Sequence, residues 1–285
     1  MEELLKVKAM KKKKLKFTNL LTLTLLMCGA VVMIFPFLWM ILSSLKTQVE
    51  VSMIPPTFFP SNFTLENYIF ALKTAPFARY FLNSLVVTIA CVTITMFTTI
   101  LAAFAFSRLK FPGSNIIFSI LIAMMMIPFE MLIITNYTTI AKWGLMDNLI
   151  ALVIPFTASI FYTYILRNFF LSIPDSLYYS AKIDGSSDWK YLWWVMVPIA
   201  KPTIITIALL NTIAAWNSFL WTVLVINSTS NRTLPFGVFA FIAEGGVRYE
   251  RLMAAATIVV LPMIILFLFS RKYIVSGVSR GGIKG

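Results

Sequence analysis

The chain has 285 residues, of which 59% are hydrophobic and only 12% are charged, about half the charged fraction of a soluble domain. Histidine is absent, so the commonest metal ligand and the commonest acid–base catalyst are missing, and we expect neither a metal site nor a catalytic site. The formal net charge of +13 would suit nucleic acid, but in so apolar a chain it indicates membrane topology and contact with anionic lipid.

A basic segment at residues 1–16 precedes the first apolar stretch and is interpreted as a cytoplasmic tail. Six apolar segments follow, each long enough to cross a hydrocarbon core of about 30 Å. The expected fold is an all-α integral membrane protein with six transmembrane helices. The predicted spans are residues 17–42, 80–106, 115–135, 148–170, 203–226 and 253–270, in a membrane domain of 17–272 followed by a cytoplasmic tail of 273–285.

The distribution of positive charge predicts the orientation of these spans. With six spans, 17 of the 24 lysine and arginine residues fall on the side of the two termini and 7 on the other side. Cytoplasmic loops carry the excess of basic residues in membrane proteins. Both termini, and the loop 172–202 between the fourth and fifth spans, are therefore expected in the cytoplasm.

The loop 172–202 begins with a predicted short helix. Ser172 and Asp175 fit a capping box, and Pro174 suits the first turn because its missing N–H is not needed there. Gly185 is suited to a left-handed stop at the end of this helix.

A second helix is predicted directly after the glycine. Ser186 or Ser187 can cap it, and Pro198 and Pro202 mark its end and the start of the next span. Its tryptophans make one face too apolar to remain in water. We therefore expect the whole helix–turn–helix to dock onto a partner.

The order of residues in this loop is characteristic. In sequence it contains Ile173, Pro174, Leu177, Ala181, Ile183, Asp184, Gly185, Val197, Pro198 and Pro202. This order resembles the coupling-loop, or EAA-loop, signature of ABC-importer permeases, and most closely the maltose-type permeases of the carbohydrate-uptake branch. The chain has Tyr179, Ser180 and Ala181 where that family usually has Glu-Ala-Ala, so the family's glutamate contact with the ATPase is not carried over.

The resemblance implies a permease subunit of an ABC importer for a sugar or an oligosaccharide, a multi-pass protein of a bacterial inner or plasma membrane. Its implied partners are a second homologous permease, a dimer of cytoplasmic ATPase subunits, an extracytoplasmic solute-binding protein and membrane lipid, with no nucleic acid. No GxxxxGK[ST] motif occurs, so ATP and Mg²⁺ are expected on the ATPase, and this chain is expected to bind no cofactor and to be no enzyme. The residues expected to couple to the ATPase are Pro174, Leu177, Tyr179, Ser180, Ala181, Ile183, Asp184 and Gly185.

Two predicted spans carry side chains that suit a sugar. Glu130 is the only acidic residue within a predicted span, where an ionisable group costs about 3 kcal/mol and should face a cavity or a partner. In the fifth span, amides that can meet hydroxyl groups alternate with rings that can stack on sugar C–H faces. These residues are Asn211, Trp216, Asn217 and Trp221. The structural alternatives are a local ion pair or hydroxyl contact for Glu130, and helix packing or an interfacial belt for the others.

The predicted outer loop 227–252 is unusually apolar for a segment in water. The resemblance places this loop near a sugar-loaded binding protein, and the alternative is a surface helix resting on the bilayer. Its candidate contact residues are Phe236, Phe239, Phe241, Gly245 and Gly246.

A second class of function is open from the sequence alone. A self-contained secondary transporter could use Glu130 and an ion gradient, although one carboxylate without a partner in another span makes a poor proton relay. Such a transporter has no need of a capped amphipathic helix in the loop 172–202. An importer driven by an ATPase requires that lever, so the loop favours the importer.

Overall fold

The structure is a computed structural model that describes the backbone of residues 2–242 and 248–281 and the side chains of residues 19–242 and 248–269. The regular elements in this part of the chain are helices, with no β-strand among them, as the all-α prediction requires. The described residues divide into two compact units, one within 1–74 and 241–258 and the other within 75–240 and 259–285.

The helices follow the apolar segments and the predicted loop helices. The α-helices are α1 Glu2–Ser44, α2 Gln48–Val51, α3 Glu66–Thr74, α4 Phe77–Arg108, α5 Ser114–Met124, α6 Phe129–Lys142, α7 Leu149–Val153, α8 Ile160–Leu171, α9 Asp175–Ile183, α10 Asp188–Tyr191, α11 Val197–Ile199, α12 Lys201–Trp216, α13 Leu220–Val225 and α14 Tyr249–Gly281. The chain also forms 3₁₀ segments at Ile154–Phe156, Thr229–Asn231 and Leu234–Phe241, and a π-helical turn at Leu192–Met196.

Three helical segments are long and apolar enough to cross a membrane: Asn19–Ser44, Phe77–Arg108 and Tyr249–Phe269. Three further helix pairs meet the same criteria only when joined across a short break. Their bends are 96° between α5 and α6, 46° between Leu149–Phe156 and α8, and 80° between Asp188–Ile199 and α12. The described residues thus provide three spans, or six if each bent pair crosses the membrane as one. The residue bounds of the six predicted spans stay predictions.

The predicted third span, 115–135, is not one continuous helix. α5 ends at Met124, and α6 begins directly after Pro128. Proline lacks the N–H that would continue a helix and disfavours helical backbone at the residue before it. The chain therefore bends by 96° at this point, and Glu130 lies in the first turn of α6, directly after the break.

The predicted fifth span, 203–226, is also interrupted. α12 ends at Trp216 and α13 begins at Leu220. The intervening Asn217 and Ser218 have short polar side chains that compete with backbone hydrogen bonds and favour helix ends. Non-helical backbone at membrane depth is tolerated where it borders a cavity, so both breaks are places to look for a site.

One buried cluster in the larger unit joins α4, α8 and α12 to the loop 172–202. Its residues are Met96, Ile100, Ala103, Phe104, Leu166, Phe170, Ile173, Tyr191, Leu192, Met196, Ala200 and Ile207. Because Tyr191, Leu192 and Met196 come from the second half of the loop, that half is part of the same core as the long helices.

Two buried charged side chains of the smaller unit lie in the segment after α1. Lys46 donates a hydrogen bond to the carbonyl of Thr57 and lies 4.9 Å from the ring centre of Trp39. Glu50 accepts hydrogen bonds from the backbone N–H groups of Ser61 at 2.6 Å and Thr47 at 3.2 Å. Burial raises the pKa of Glu50, but these bonds outweigh it and hold the pKa below its usual value. Lys46 therefore packs this segment against α1, and Glu50 ties the two ends of the segment to each other.

Candidate functional sites

A cavity of about 450 Å³ lies at the two helix breaks of the larger unit, a volume in the range of small-molecule sites. The start of α6 forms one wall, and the residues on both sides of the break between α12 and α13 form another. Its polar and aromatic lining consists of Phe129, Glu130, Phe156, Asn211, Asn217, Ser218, Phe219 and Trp221. Four of the five candidate pathway residues therefore share one cavity.

Glu130 supplies the single charge of this lining. It is exposed and sits in the first turn of α6, where the positive end of the helix dipole favours a carboxylate. Within residues 19–242 and 248–269, no hydrogen bond or ion pair reaches its side chain. The local pair considered from the sequence is thus not formed in the described part of the chain, and the carboxylate is available to a ligand.

Asn211 presents an unsatisfied donor beside the cavity. The residue is 6% exposed, and its side-chain Nδ2 has no acceptor among the described residues. A buried polar group without a partner costs about 1–3 kcal/mol. Asn217, at the C-cap of α12, is exposed in the same lining. The two amides, both at the α12 side of the break, can therefore bind hydroxyl groups in this cavity.

Trp221 forms the wall of the cavity and does not offer it a polar group. The residue is 2% exposed, and its indole N–H donates to the carbonyl of Ala151 at 2.9 Å. The ring of Phe129 meets it edge-on, with 6.0 Å between the ring centres, and Phe156 lies 5.0 Å beyond Phe129. Phe129 and Phe156 were not among the predicted residues, although Pro128 in the sequence signals the break that brings Phe129 here.

Trp216 lies apart from the other four pathway residues. It is 6% exposed and meets the ring of Phe81 edge-on, with 5.7 Å between the ring centres. It lines a separate cavity of about 320 Å³ together with Thr88 and Pro262. The structure therefore assigns Trp216 to packing around a different cavity.

The loop 172–202 contains the predicted helix and glycine stop. Gly185 has a φ of 73°, and its N–H donates to the carbonyl of Lys182 at 3.0 Å. The N–H of Ser186 donates to the carbonyl of Ala181 at 2.9 Å. This pair of bonds is a Schellman motif, which ends α9 and confirms the predicted left-handed glycine.

The start of the second helix is also as predicted, because the Ser187 side chain accepts from the N–H of Lys190 at 3.2 Å. Two other predicted details are wrong. Ser172 does not cap α9 with Asp175: it ends α8, and its hydroxyl donates to the carbonyl of Phe169 at 2.7 Å. Pro198 does not end the second helix, which continues to the bend at Ala200.

α9 presents large apolar side chains to the outside. Leu177 is 42% exposed, Tyr179 54% and Ile183 86%, and these three residues are called the α9 surface. Exposed apolar groups outside the predicted spans mark an interaction site. Pro174, Ser180, Asp184 and Gly185 are also exposed. Ala181 differs from the other predicted coupling residues, since it is half-buried and packs against the core.

Arg108, the last residue of α4, holds the start of α9, a role that its sequence position did not reveal. Its side chain is 4% exposed, and its guanidinium donates to the carbonyls of Phe170 at 2.7 Å and Ile173 at 2.6 Å. It also forms an ion pair with Asp175. The final carbonyls of a helix need donors from outside it, so one arginine both caps α8 and fixes the first residue of α9.

A second set of contacts ties α9 to α10. The carboxylate of Asp188 lies 2.8 Å from the Lys182 ammonium and accepts a hydrogen bond from the Tyr178 hydroxyl at 2.8 Å. The hydrogen bond from Lys182, followed by that from Tyr178, lowers the pKa of Asp188. The ring of Tyr178 also meets Tyr191 of the buried cluster edge-on, with 5.1 Å between the centres. α9 is therefore attached to the core at both of its ends.

The predicted binding-protein loop is described only in part. Phe236 is buried, at 6% exposed, and packs against Phe239 with 5.8 Å between the ring centres. It was predicted to contact the binding protein, but its side chain is not accessible at the surface. Phe239 is 40% exposed and Phe241 is half-buried. Gly245 and Gly246 lie outside the described residues.

Asp147 links the segment after α6 to the segment after α13. Its carboxylate accepts hydrogen bonds from the N–H groups of Asn227 at 3.0 Å and Ser228 at 2.9 Å. Its own carbonyl accepts from the side chain of Asn231 at 2.6 Å. The bond from Ser228 is the main cause that lowers the pKa of Asp147. This carboxylate is thus a structural cross-link between two predicted outer loops.

Residues 95–280 match the family described as "Binding-protein-dependent transport system inner membrane component". An arabinooligosaccharides transport system permease protein of Halalkalibacterium halodurans is 29% identical, covering 90% of this chain and 93% of the relative. A trehalose/maltose transport system permease protein of Thermococcus litoralis is 34% identical, covering 92% and 96%. In fold, the chain is similar to a crystal structure of a bacterial ABC transporter involved in alginate import, with a TM-score of 0.80 at 23% identity over 90% and 96% of the two chains.

Proposed function

The chain belongs to the family of inner membrane components of binding-protein-dependent transport systems, and from that premise we propose that it is the permease subunit of an ATP-driven importer for a sugar or an oligosaccharide. The arabinooligosaccharide and trehalose/maltose permeases, which align along nearly the whole chain, support the substrate class. Membership of a binding-protein-dependent family speaks against the self-contained ion-coupled transporter considered from the sequence.

The observation that carries this proposal is the α9 surface. Leu177, Tyr179 and Ile183 expose apolar area on a helix that lies outside the predicted spans. A cytoplasmic ATPase subunit would cover this area, and the hydrophobic contact would take the place of the ion pair that the family's glutamate makes. The proposed assembly contains a second permease, two ATPase subunits and an extracytoplasmic binding protein. Both termini of this chain would then face the cytoplasm.

In the proposed mechanism, ATP and Mg²⁺ bind to the ATPase subunits, and the closure of those subunits displaces α9. Contacts with Arg108 and Asp188 attach α9 near both of its ends, so the displacement would be passed on to the rest of the chain. The buried residues Tyr191, Leu192 and Met196 transmit it to α4, α8 and α12. The end of α12 lines the cavity at the two helix breaks, so a movement of α12 would change the access to that cavity.

The chemistry of the cavity suits a neutral sugar. The rings of Phe129 and Phe156 supply apolar faces for the C–H side of a sugar ring, while Asn211 and Asn217 supply amide donors and acceptors. Glu130 can accept hydrogen bonds from hydroxyl groups without any proton transfer. Discontinuous helices form the substrate sites of several classes of transporter, which supports this location.

The experiment that tests the proposal is uptake by proteoliposomes that contain the assembled transporter. Radiolabelled arabinooligosaccharides, maltose and trehalose are offered with the binding protein, with ATP inside or outside the vesicles. We expect accumulation of at least one of them only when ATP reaches the ATPase side. Accumulation driven by a proton or sodium gradient without ATP would contradict the proposal.

A further inference from the structure

We propose that a second cavity, beside the start of α9, binds the phosphate group of an anionic phospholipid. The cavity measures about 620 Å³ and lies between the α4–α5 loop, the end of α8 and the first turns of α9. Its position at the cytoplasmic surface of the bilayer rests on the orientation given by the proposed function. The site itself rests on the charges and surfaces that line the cavity.

Three cationic side chains and one carboxylate line this cavity: Arg108, Lys110, Arg167 and Asp175. Arg108 is already compensated by Asp175 and by two backbone carbonyls. The ammonium of Lys110 is exposed and contacts no acceptor in the described part of the chain. Arg167 donates through Nε to the carbonyl of Phe106 at 2.9 Å, while its two terminal nitrogens have no acceptor among the described side chains and backbone. Two positive charges therefore remain without a counter-charge.

One of the two free cations, Arg167, is held in place before any ligand arrives. The guanidinium of Arg167 lies 4.1 Å from the ring centre of Phe118, in addition to its bond to Phe106, so its orientation is fixed. α5, which has 11 residues, begins at the same cavity, and its N-cap Gly113 provides no side-chain acceptor for the first N–H groups. A pre-oriented guanidinium beside a helix start that has no side-chain cap favours a phosphate oxygen.

The surroundings of the cations point to a lipid and not to a free anion. Phe111 and Leu171 line the same cavity and are 36% and 47% exposed. Ile116 and Ile117, in the first turn of α5, are 69% and 45% exposed and face away from the core within a predicted span. A phospholipid can place its phosphate on the cations and its acyl chains on these apolar side chains. Inorganic phosphate or a nucleotide would leave the apolar area uncovered.

The site would connect the lipid to the coupling machinery. Asp175 lines the cavity and is also the first residue of α9, and Tyr178 and Tyr179 of α9 line it as well. A bound phosphate would draw Lys110 and Arg167 together and brace the α4–α5 loop against α9. We therefore expect coupling between ATP hydrolysis and transport to depend on anionic lipid.

The test uses the assembled transporter in nanodiscs made of phosphatidylcholine with added phosphatidylglycerol. Phosphatidylglycerol retained per permease is measured by native mass spectrometry for the wild type, Lys110→Gln and Lys110→Glu. The matched control is Lys142→Gln, which changes an exposed lysine at the end of α6 that does not line the cavity. Loss of one surface cation should weaken retention about fivefold, and charge reversal should weaken it further. The control should retain as much lipid as the wild type.

Equal retention by the wild type and Lys110→Glu would overturn the site, as would an equal preference for phosphatidylcholine. Excess inorganic phosphate is added in a second arm. Displacement of the lipid by phosphate would identify a free anion as the occupant and would also overturn the proposal. Co-purification of the ATPase is recorded in every sample. Retention of the lipid tests the lipid site, and co-purification of the ATPase tests the proposed function. A Lys110 variant that loses the lipid and keeps the ATPase would support the lipid site without bearing on the proposed function.

Discussion

Arg108 and Asp175 form an ion pair that joins the last residue of α4 to the first residue of α9. The two side chains lie in different surroundings, since Arg108 is 4% exposed and Asp175 72% exposed. Arg108 also satisfies the carbonyls of Phe170 and Ile173, which Asp175 does not. The arginine is therefore the half of the pair on which the attachment of α9 depends.

Replacing Arg108 with Gln should destabilise the protein by about 3 kcal/mol, because the carbonyls of Phe170 and Ile173 lose their donors inside the structure. The matched variant Asp175→Asn should cost less than about 1 kcal/mol, because its carboxylate is largely in water. Thermal unfolding in detergent compares the two. Equal effects would show that the ion pair, and not the bonds to the carbonyls, carries the attachment.

Gly185→Val should reduce transport while the protein remains in the membrane. A β-branched residue at a φ of 73° is strained by roughly 1–2 kcal/mol, so the Schellman motif and the direction of α10 would change. Gly185→Asn is the matched control, since asparagine tolerates left-handed backbone. Uptake and ATPase activity are measured together. We expect ATP hydrolysis without uptake in the valine variant, and wild-type uptake there would count against a coupling role for the turn.

The turn in the loop 172–202 could be predicted from neighbouring residues, but contacts between residues far apart in the sequence could not. Gly185 and Ser187 act on residues within five positions, and both were found from the sequence. Ser172 was misassigned because either neighbouring helix could use its hydroxyl, and only the fold selects Phe169 as its partner. The role of Arg108 depends on carbonyls that lie more than 60 residues away, so its position at the end of a span suggested only topology.

The sequence predicted four residues that line the cavity, but it did not predict the helix breaks that bring them together. The apolar composition of 115–135 indicates one span, and it outweighed the signal of Pro128, which breaks the helix. The break places Glu130 beside Asn211 and Asn217. Trp216 belongs to the same set of amide and aromatic residues that suit a sugar, yet the helix turns its side chain toward Phe81. Spacing along one helix cannot decide which face meets a cavity when the helix itself is interrupted.

Glu130→Gln should keep uptake within about twofold of the wild type, because an amide oxygen can still accept a hydrogen bond from a hydroxyl group. Glu130→Leu should lower uptake about fivefold, which corresponds to the loss of one hydrogen bond to the ligand. Initial rates are compared at equal amounts of protein in the membrane. Complete loss of transport in the glutamine variant would indicate that Glu130 carries protons.

Asp147→Ala should lower the melting temperature by roughly 2–4 °C at neutral pH, because the N–H groups of Asn227 and Ser228 lose their acceptor. The folded-state pKa of Asp147 lies below its usual value. Its contribution is therefore present above the usual value of about 3.9 and is lost as the pH falls through the folded pKa. The difference from the wild type should shrink in that acidic range, and a difference that grows there would contradict the assignment.

The central claim is that the α9 surface binds a separate ATPase subunit. Its most direct test is purification of the tagged protein from native membranes in mild detergent, with mass spectrometry of the proteins that co-purify. We expect a stoichiometric ATPase and a second permease with the wild type and with Val49→Asp, which alters an exposed apolar residue outside the α9 surface. Ile183→Asp should lose the ATPase and keep the second permease. A homo-oligomer without an ATPase, or an undiminished ATPase with Ile183→Asp, would contradict the claim.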